Sequence, residues 1–184
     1  MKKIFISIFI IGLCFLKAPP IYSQTIAGNS AALKKDSLTD YTTAKKYMIA
    51  KMAIKKILEK YQSPLIDATD NFIQTCWQYQ LDCYLLPSIA GLESTFGKFI
   101  YPNSYNPFGW GGGYIVFNNW QEAIDTVGKG LRERYLEKGC QNLKNIGQIY
   151  SESPTWAMRV DYFLNQFYQE EKKLLYLAEN PVQL

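Results

Sequence analysis

Residues 85–113 have the sequence LLPSIAGLESTFGKFIYPNSYNPFGWGGG, which joins an apolar helical pattern to an aromatic, glycine-rich loop. At about 100° per residue, one helical face carries four apolar residues: Leu85, Ile89, Leu92 and Phe96. Glu93 projects onto the same arc. A carboxylate on a core-facing arc is costly unless it is paired or lines a cleft. The stretch therefore predicts a helix that presents Glu93 either to a cleft or to a basic partner.

Two interpretations of Glu93 follow from this placement. Apolar surroundings raise the pKa of a carboxyl group toward about 6, so that it keeps a proton to donate to a leaving oxygen. Alternatively, Glu93 forms a buried ion pair with a basic residue, for which the candidates are Arg132, Arg134 and Arg159. Spacing alone leaves both interpretations open.

Three blocks of the chain resemble signatures of one protein family. Residues 90–97, AGLESTFG, resemble the A-x-x-E-S-x-(F/W)-G signature of lysozyme-like peptidoglycan hydrolases, most closely the glucosaminidase-type members. Residues 106–110, NPFGW, resemble their N-x-F-G loop. Residues 150–156, YSESPTW, resemble their Y-A-x-x-P-x-Y segment. The blocks follow one another in the family's order and lie within about residues 70–165.

This resemblance implies cleavage of a β-1,4 glycosidic bond in peptidoglycan or a related N-acetylated glycan, with an endo-β-N-acetylglucosaminidase as the first expectation. Glu93 corresponds to the family's catalytic acid, Tyr150 to a tyrosine that supports the reaction centre, and Asn106 to the cleft loop. Two positions depart from the pattern. Trp156 stands where tyrosine is more usual, and Pro107 replaces an aliphatic residue, which bears on the subsites more than on the reaction class.

The aromatic loop is expected to bind the sugar. Sugar rings present apolar faces edged by hydroxyls, so glycan clefts need aromatic platforms and hydrogen-bonding side chains. Tyr105, Asn106 and Trp110 are expected to contact carbohydrate. Phe108 and Trp156 complete the substrate-binding candidates, although packing is the favoured role of Phe108.

A second carboxylate is not identified by the sequence. Most glycosidases use two, and Glu122 is a candidate, but residues 119–122, NWQE, match a capping box that favours a helix-capping role. Asp125, Glu152 and Asp161 have no distinguishing features. A substrate acetamido group can replace the second carboxylate, and a sugar hydroxyl does so in lytic transglycosylation. A lytic transglycosylase or a muramidase on the same scaffold therefore remains an alternative.

The organisation predicted along the chain is a signal peptide at 1–23, a flexible leader at 24–40 and one catalytic domain at 41–184. Lys2 and Lys3 precede a 13-residue apolar run at 4–16, which is shorter than a membrane span of about 20 residues. We expect a secreted or periplasmic, cell-envelope protein without stable membrane insertion after processing; a retained anchor is the alternative.

The expected fold is mainly α-helical, an α+β lysozyme-like domain with a small β-hairpin flanking the cleft. Apolar residues recur at helical spacing along most of residues 41–184. Residues 114–117 are rich in strand-forming side chains and are predicted to pair with residues 99–101.

Charge and composition exclude several functions. The chain has 20 basic and 16 acidic residues; residues 1–23 contain three of the lysines and no acidic residue, which leaves 17 against 16 and a net charge of +1. Nucleic-acid binding is not expected at that charge. The chain has no histidine, which excludes His-ligated zinc sites and His-dependent triads, and no metal or cofactor is expected. In the exported chain, Cys76 and Cys83 flank a predicted turn, and a disulfide between them is favoured over two reduced thiols.

Two rivals to a hydrolase remain open from the sequence. One is a non-catalytic glycan-binding module on the same scaffold. The other is a secreted helical interaction domain in which Glu93 is held in a buried ion pair.

Overall fold

The computed structural model describes the backbone of residues 26–180 and the side chains of residues 41–180. The chain divides into two compact units, Met1–Leu38 and Thr39–Leu184. In the first unit the described residues, from Ile26 onward, are α-helical. The predicted signal peptide, 1–23, lies outside the described residues.

The described chain is mainly helical and contains no β-strand. One 3₁₀ turn, Ile66–Ala68, precedes α2, and a π-helical turn, Leu131–Leu136, continues α4. None of the described helices is both long and apolar enough to span a membrane. The α-helices are α1 (Ile26–Lys60), α2 (Thr69–Gln78), α3 (Leu85–Ser94), α4 (Trp120–Gly130), α5 (Leu143–Tyr150) and α6 (Trp156–Glu179).

The flexibility of the leader at 24–40 stays a prediction, and from Ile26 onward the backbone of this segment is part of helix α1. The physical reason lies in the composition: no proline occurs between Pro20 and Pro64, and residues 31–35, AALKK, are strong helix formers. That the segment separates an export signal from the domain stays a prediction.

Helix α3 forms the centre of the core of the second unit. Its residues 85–91 are all buried, and it packs against α6. The ring of Tyr84 stacks on Phe167 of α6 with centroids 5.4 Å apart, and Phe96 meets Phe163 edge-on at 5.3 Å. This packing holds the end of α3 against the beginning of α6, where the candidate site lies.

The predicted hairpin is not formed. Residues 99–101 and 114–117 are not strands, and Phe117 instead donates one backbone hydrogen bond to Ser104 (2.8 Å). The connection between the two segments contains a series of left-handed residues, which make it a long, repeatedly turned loop and not one of the short turns typical of a hairpin. These residues are Asn103, Tyr105, Gly109, Gly111, Gly112 and Gly113.

A disulfide joins Cys76 of α2 to Cys83, with the Cα atoms 4.9 Å apart. This is the pairing that the sequence analysis favoured. Cys140 is buried and is a free thiol. The bridge closes the turn between α2 and α3 and so fixes the point from which α3 starts.

Candidate active site

Glu93 lies in the last turn of α3. The next residue, Thr95, is left-handed (φ 50°, ψ 55°), and Phe96 and Gly97 follow at φ 57° and 80°. A β-branched residue rarely adopts this conformation, and such strain is frequent at functional sites. Helix α3 thus ends at Ser94, three residues before Gly97. Glu93 is exposed rather than core-facing, whereas Ser94 and Phe96 beside it are buried.

Both carboxylate oxygens of Glu93 have a defined neighbour. The indole Nε1 of Trp156 donates a hydrogen bond of 2.7 Å to Oε1. Oε2 faces Gly109 so closely that a Cβ at that position would lie 3.3 Å from it. The carboxyl group is therefore held between the start of α6 and the glycine-rich loop.

The pKa of Glu93 is raised above its ordinary value. Burial of the carboxyl group is the largest cause; the hydrogen bond from Trp156 and the positive charge of Arg159 act in the opposite direction. The residue as a whole is exposed, but Trp156 and Gly109 enclose its acidic end. Among residues 41–180, no salt bridge includes Glu93, so the predicted ion pair is not formed with Arg132, Arg134 or Arg159.

Tyr150 supports the loop opposite Glu93. Its hydroxyl donates to the carbonyl of Phe108 (2.8 Å), and its ring stacks on Trp156 with centroids 4.9 Å apart. The pKa of Tyr150 is raised well above its ordinary value, first by burial and then by the charge of Glu93. The hydroxyl is therefore kept protonated as a donor beside the acid.

Gly147 lets Trp156 approach this closely. A Cβ on Gly147 would lie 2.9 Å from the indole ring. Trp156 is 2 % exposed and leaves almost no ring surface open to a sugar, so its role in substrate binding stays a prediction without support from its burial. It instead positions the carboxyl group of Glu93 through the indole N–H.

Asn106 organises the loop. Its Nδ2 donates to the carbonyls of Trp110 (2.9 Å) and Ile115 (3.0 Å), and its Oδ1 accepts from the backbone N–H of Trp110 (3.0 Å). The residue is buried, and both ends of its amide are occupied. Asn106 therefore has a structural role in the loop, and its carbohydrate contact stays a prediction.

Ser94 connects α3 to the same loop, and the sequence analysis assigned it no role. Its hydroxyl lies 2.7 Å from the carbonyl oxygen of Pro107 and 3.0 Å from that of Ala90, and it accepts from the backbone N–H of Gly97 (2.8 Å). Its signal in the sequence was its place directly after Glu93, as the serine of the A-x-x-E-S-x-(F/W)-G signature.

The aromatic loop residues divide into packed and accessible rings. Phe108 is completely buried, which is the packing role favoured for it and excludes sugar contact. Trp110 is half-buried between Tyr150 and the backbone of Gly130, where a Cβ would lie 2.7 Å from its ring. Tyr105 is exposed and rests edge-on against Trp120. Tyr105 and Trp110 thus keep ring surface for a ligand.

Glu122 caps α4. Its carboxylate accepts hydrogen bonds of 2.7 Å from the backbone and side-chain amides of Asn118, and its own N–H donates to Asn119. This is the role that the capping box predicted. In the described part of the chain, none of the groups that shift the pKa of Glu93 is a carboxylate.

Within the described residues, no group of three or more acidic or cysteine side chains is placed to hold a metal ion. The arrangement therefore offers one carboxyl group with a raised pKa, one donor on Oε1, and an aromatic loop facing Oε2. No protein-family model matches the chain, and no curated protein matches it significantly in sequence.

Proposed function

We propose that this protein is an exported glycosidase of lysozyme-like fold that cleaves β-1,4 bonds of the peptidoglycan backbone with Glu93 as general acid. The observation that carries the proposal is the environment of Glu93. Its carboxyl group has a raised pKa, accepts a hydrogen bond on one oxygen, and turns the other toward the loop that bears Tyr105 and Trp110.

In this reaction the protonated Glu93 gives its proton to the glycosidic oxygen as the bond to the anomeric carbon breaks. The electron pair of that bond goes to the leaving oxygen, which keeps the proton, and Glu93 becomes a carboxylate. The tryptophan N–H then stabilises the new negative charge. The raised pKa supports this role because the proton must be present before the reaction starts.

A single acid favours a nucleophile supplied from outside the protein. Glu122 is used in capping α4, and Asp125 accepts a hydrogen bond from Tyr79 (3.0 Å). The nucleophile is then the substrate's acetamido oxygen, or a sugar hydroxyl that closes an anhydro ring. The first leads to hydrolysis by an N-acetylglucosaminidase; the second is lytic transglycosylation.

The test is incubation of residues 24–184, and of the same chain carrying Glu93→Gln, with purified peptidoglycan. Fragments are identified by mass spectrometry. We expect fragments from the wild type alone, and their ends name the bond: reducing GlcNAc, reducing MurNAc or anhydro-MurNAc. Equal cleavage by Glu93→Gln would refute the assignment. Binding to the wall without cleavage by either protein would indicate a glycan-binding module.

A further inference from the structure

The surface formed by α1 and α2 carries a groove that the proposed reaction does not use. It has a volume of about 570 Å³ and is lined by three aromatic side chains, Tyr41, Tyr47 and Trp77, and by the polar side chains of Thr43 and Gln74. The Glu93 site, in contrast, is built from α3, α5, α6 and the loop before α4. The two sites share no residue.

Two of these rings are accessible to a ligand. Trp77 is 65 % exposed and Tyr41 is 67 % exposed. An indole left this open to water forfeits much of the free energy that its burial provides. Trp77 also follows Cys76, whose disulfide to Cys83 fixes the end of α2. The ring is therefore presented on a rigid element, which lowers the entropy cost of binding.

The groove is lined by no charged side chain, although α1 carries Lys45, Lys46 and Lys51 in the same region. An uncharged lining does not fit an anionic lipid or a nucleic acid, which require basic contacts. A lining that combines aromatic rings with an amide and a hydroxyl instead complements an uncharged sugar.

We propose that this groove is a second carbohydrate-binding site, which holds an uncharged N-acetylated saccharide stretch of a glycan strand. That the sugar is N-acetylated, and that the strand belongs to the polymer cleaved at Glu93, rest on the proposed function; the assignment of an uncharged saccharide does not. The site anchors the protein to an insoluble wall while Glu93 acts on a separate stretch of glycan.

Binding is tested on the full chain carrying Glu93→Gln, so that turnover does not consume the ligand. The probes are an N-acetylglucosamine tetramer in calorimetry and purified peptidoglycan in co-sedimentation. We expect two tetramer sites per chain, reduced to one by Trp77→Ala, and peptidoglycan affinity lowered about tenfold. Tyr41→Ala, on the other helix, is expected to act in the same direction.

The matched control is Tyr162→Ala, which removes a ring of similar exposure (62 %) from α6, outside the groove. Thermal melting checks that every variant folds. The proposal would be overturned if Trp77→Ala and Tyr162→Ala co-sedimented equally with peptidoglycan and bound the same number of tetramers per chain. A Trp77→Ala change in sedimentation-velocity mass without a change in glycan binding would also overturn it, since the groove would then join copies of this chain.

The two proposals fail separately. With Glu93 intact, Trp77→Ala is expected to cleave soluble fragments at the wild-type rate and insoluble wall more slowly. If glycan binding depends on Trp77 and no cleavage depends on Glu93, the groove is supported as a carbohydrate-binding site and the proposed glycosidase activity is refuted. If cleavage depends on Glu93 and Trp77→Ala leaves wall binding unchanged, the proposed glycosidase activity is supported and the groove is refuted as a carbohydrate-binding site.

Discussion

Trp156 Nε1 and Glu93 Oε1 lie 2.7 Å apart, in a hydrogen bond that joins the start of α6 to the end of α3. An indole N–H can only donate, so the oxygen that accepts it is the less favourable one to carry the acidic proton. The proton is therefore favoured on Oε2, which faces Gly109 and the loop. In the proposed reaction, Trp156 is a positioning residue that selects the donating oxygen.

Replacement of Trp156 by phenylalanine tests this relationship. The hydrogen bond favours the ionised form of Glu93, so its loss raises the pKa further above the ordinary value. A general acid must be protonated, and activity falls as pH rises through its pKa. We expect the alkaline limb of the kcat profile of Trp156→Phe to move to higher pH, and kcat to fall by about 10- to 100-fold.

The pH profile is measured on soluble peptidoglycan fragments. Trp120→Phe is the control, because Trp120 contacts Tyr105 and makes no hydrogen bond to Glu93. It is expected to leave the alkaline limb in place. An unchanged limb in Trp156→Phe would show that the indole does not act on the acid.

Gly109 is predicted to be intolerant of a side chain for two separable reasons. Its φ is +62°, and an added Cβ would lie 3.3 Å from Glu93 Oε2. The left-handed conformation costs a non-glycine residue about 1 kcal/mol, whereas the contact displaces the acid itself. We expect Gly109→Ala to lower kcat more than about tenfold.

Gly113→Ala separates the two effects. Gly113 is also left-handed, at φ +82°, but a Cβ there meets nothing within 4 Å. Both variants are expected to lose similar thermal stability, and only Gly109→Ala to lose activity. Comparable losses of kcat would assign the effect to loop strain instead of to contact with Glu93.

Most of the helical architecture could be predicted because apolar periodicity is a local signal. Helical spacing along residues 41–184 includes the four residues Ile124, Val127, Leu131 and Tyr135, and all four are buried. The loop of residues 99–117 could not be predicted in the same way. Its shape depends on left-handed residues and on the side chain of Asn106, whereas its sequence has strand propensity.

The site was predicted only in part for a related reason. Glu93 and Trp156 are 63 residues apart in the chain, and periodicity gives no account of which atoms meet across that distance. The family resemblance singled out both residues but assigned Trp156 to sugar binding. Its actual contact depends on Gly147, which provides space for the indole, and on Tyr150, which stacks on it.

Asn106→Ala is predicted to lower stability and activity together. The change removes three hydrogen bonds and leaves the backbone groups of Trp110 and Ile115 without their partner. Loss of a buried hydrogen-bond network of this size costs about 2–4 kcal/mol. We expect a lower free energy of unfolding in urea and a clear loss of kcat, because the loop no longer holds Gly109 over Glu93.

Asn106→Asp is the companion variant, because aspartate can still accept from Trp110 N–H but can donate to neither carbonyl. It is expected to be as inactive as Asn106→Ala. A folded and fully active Asn106→Ala would show that other contacts suffice to hold the loop.

Glu93→Gln is predicted to leave thermal stability at pH 7 unchanged or to raise it, by at most about 4 °C. A carboxyl group whose pKa is raised by folding stabilises the fold fully below its unfolded pKa, and that contribution is lost as pH rises through the folded pKa. Wherever the wild type is ionised it keeps a partly buried charge that glutamine lacks, so the difference in stability at pH 7 is at least as large as the difference at pH 4. Circular-dichroism melting at both pH values measures it.

Glu122→Gln is the control with the opposite sign, because it weakens the cap formed with Asn118 and lowers the melting temperature at pH 7. A fall of several degrees in Glu93→Gln at pH 7 would favour a structural ion pair over an acid kept for catalysis.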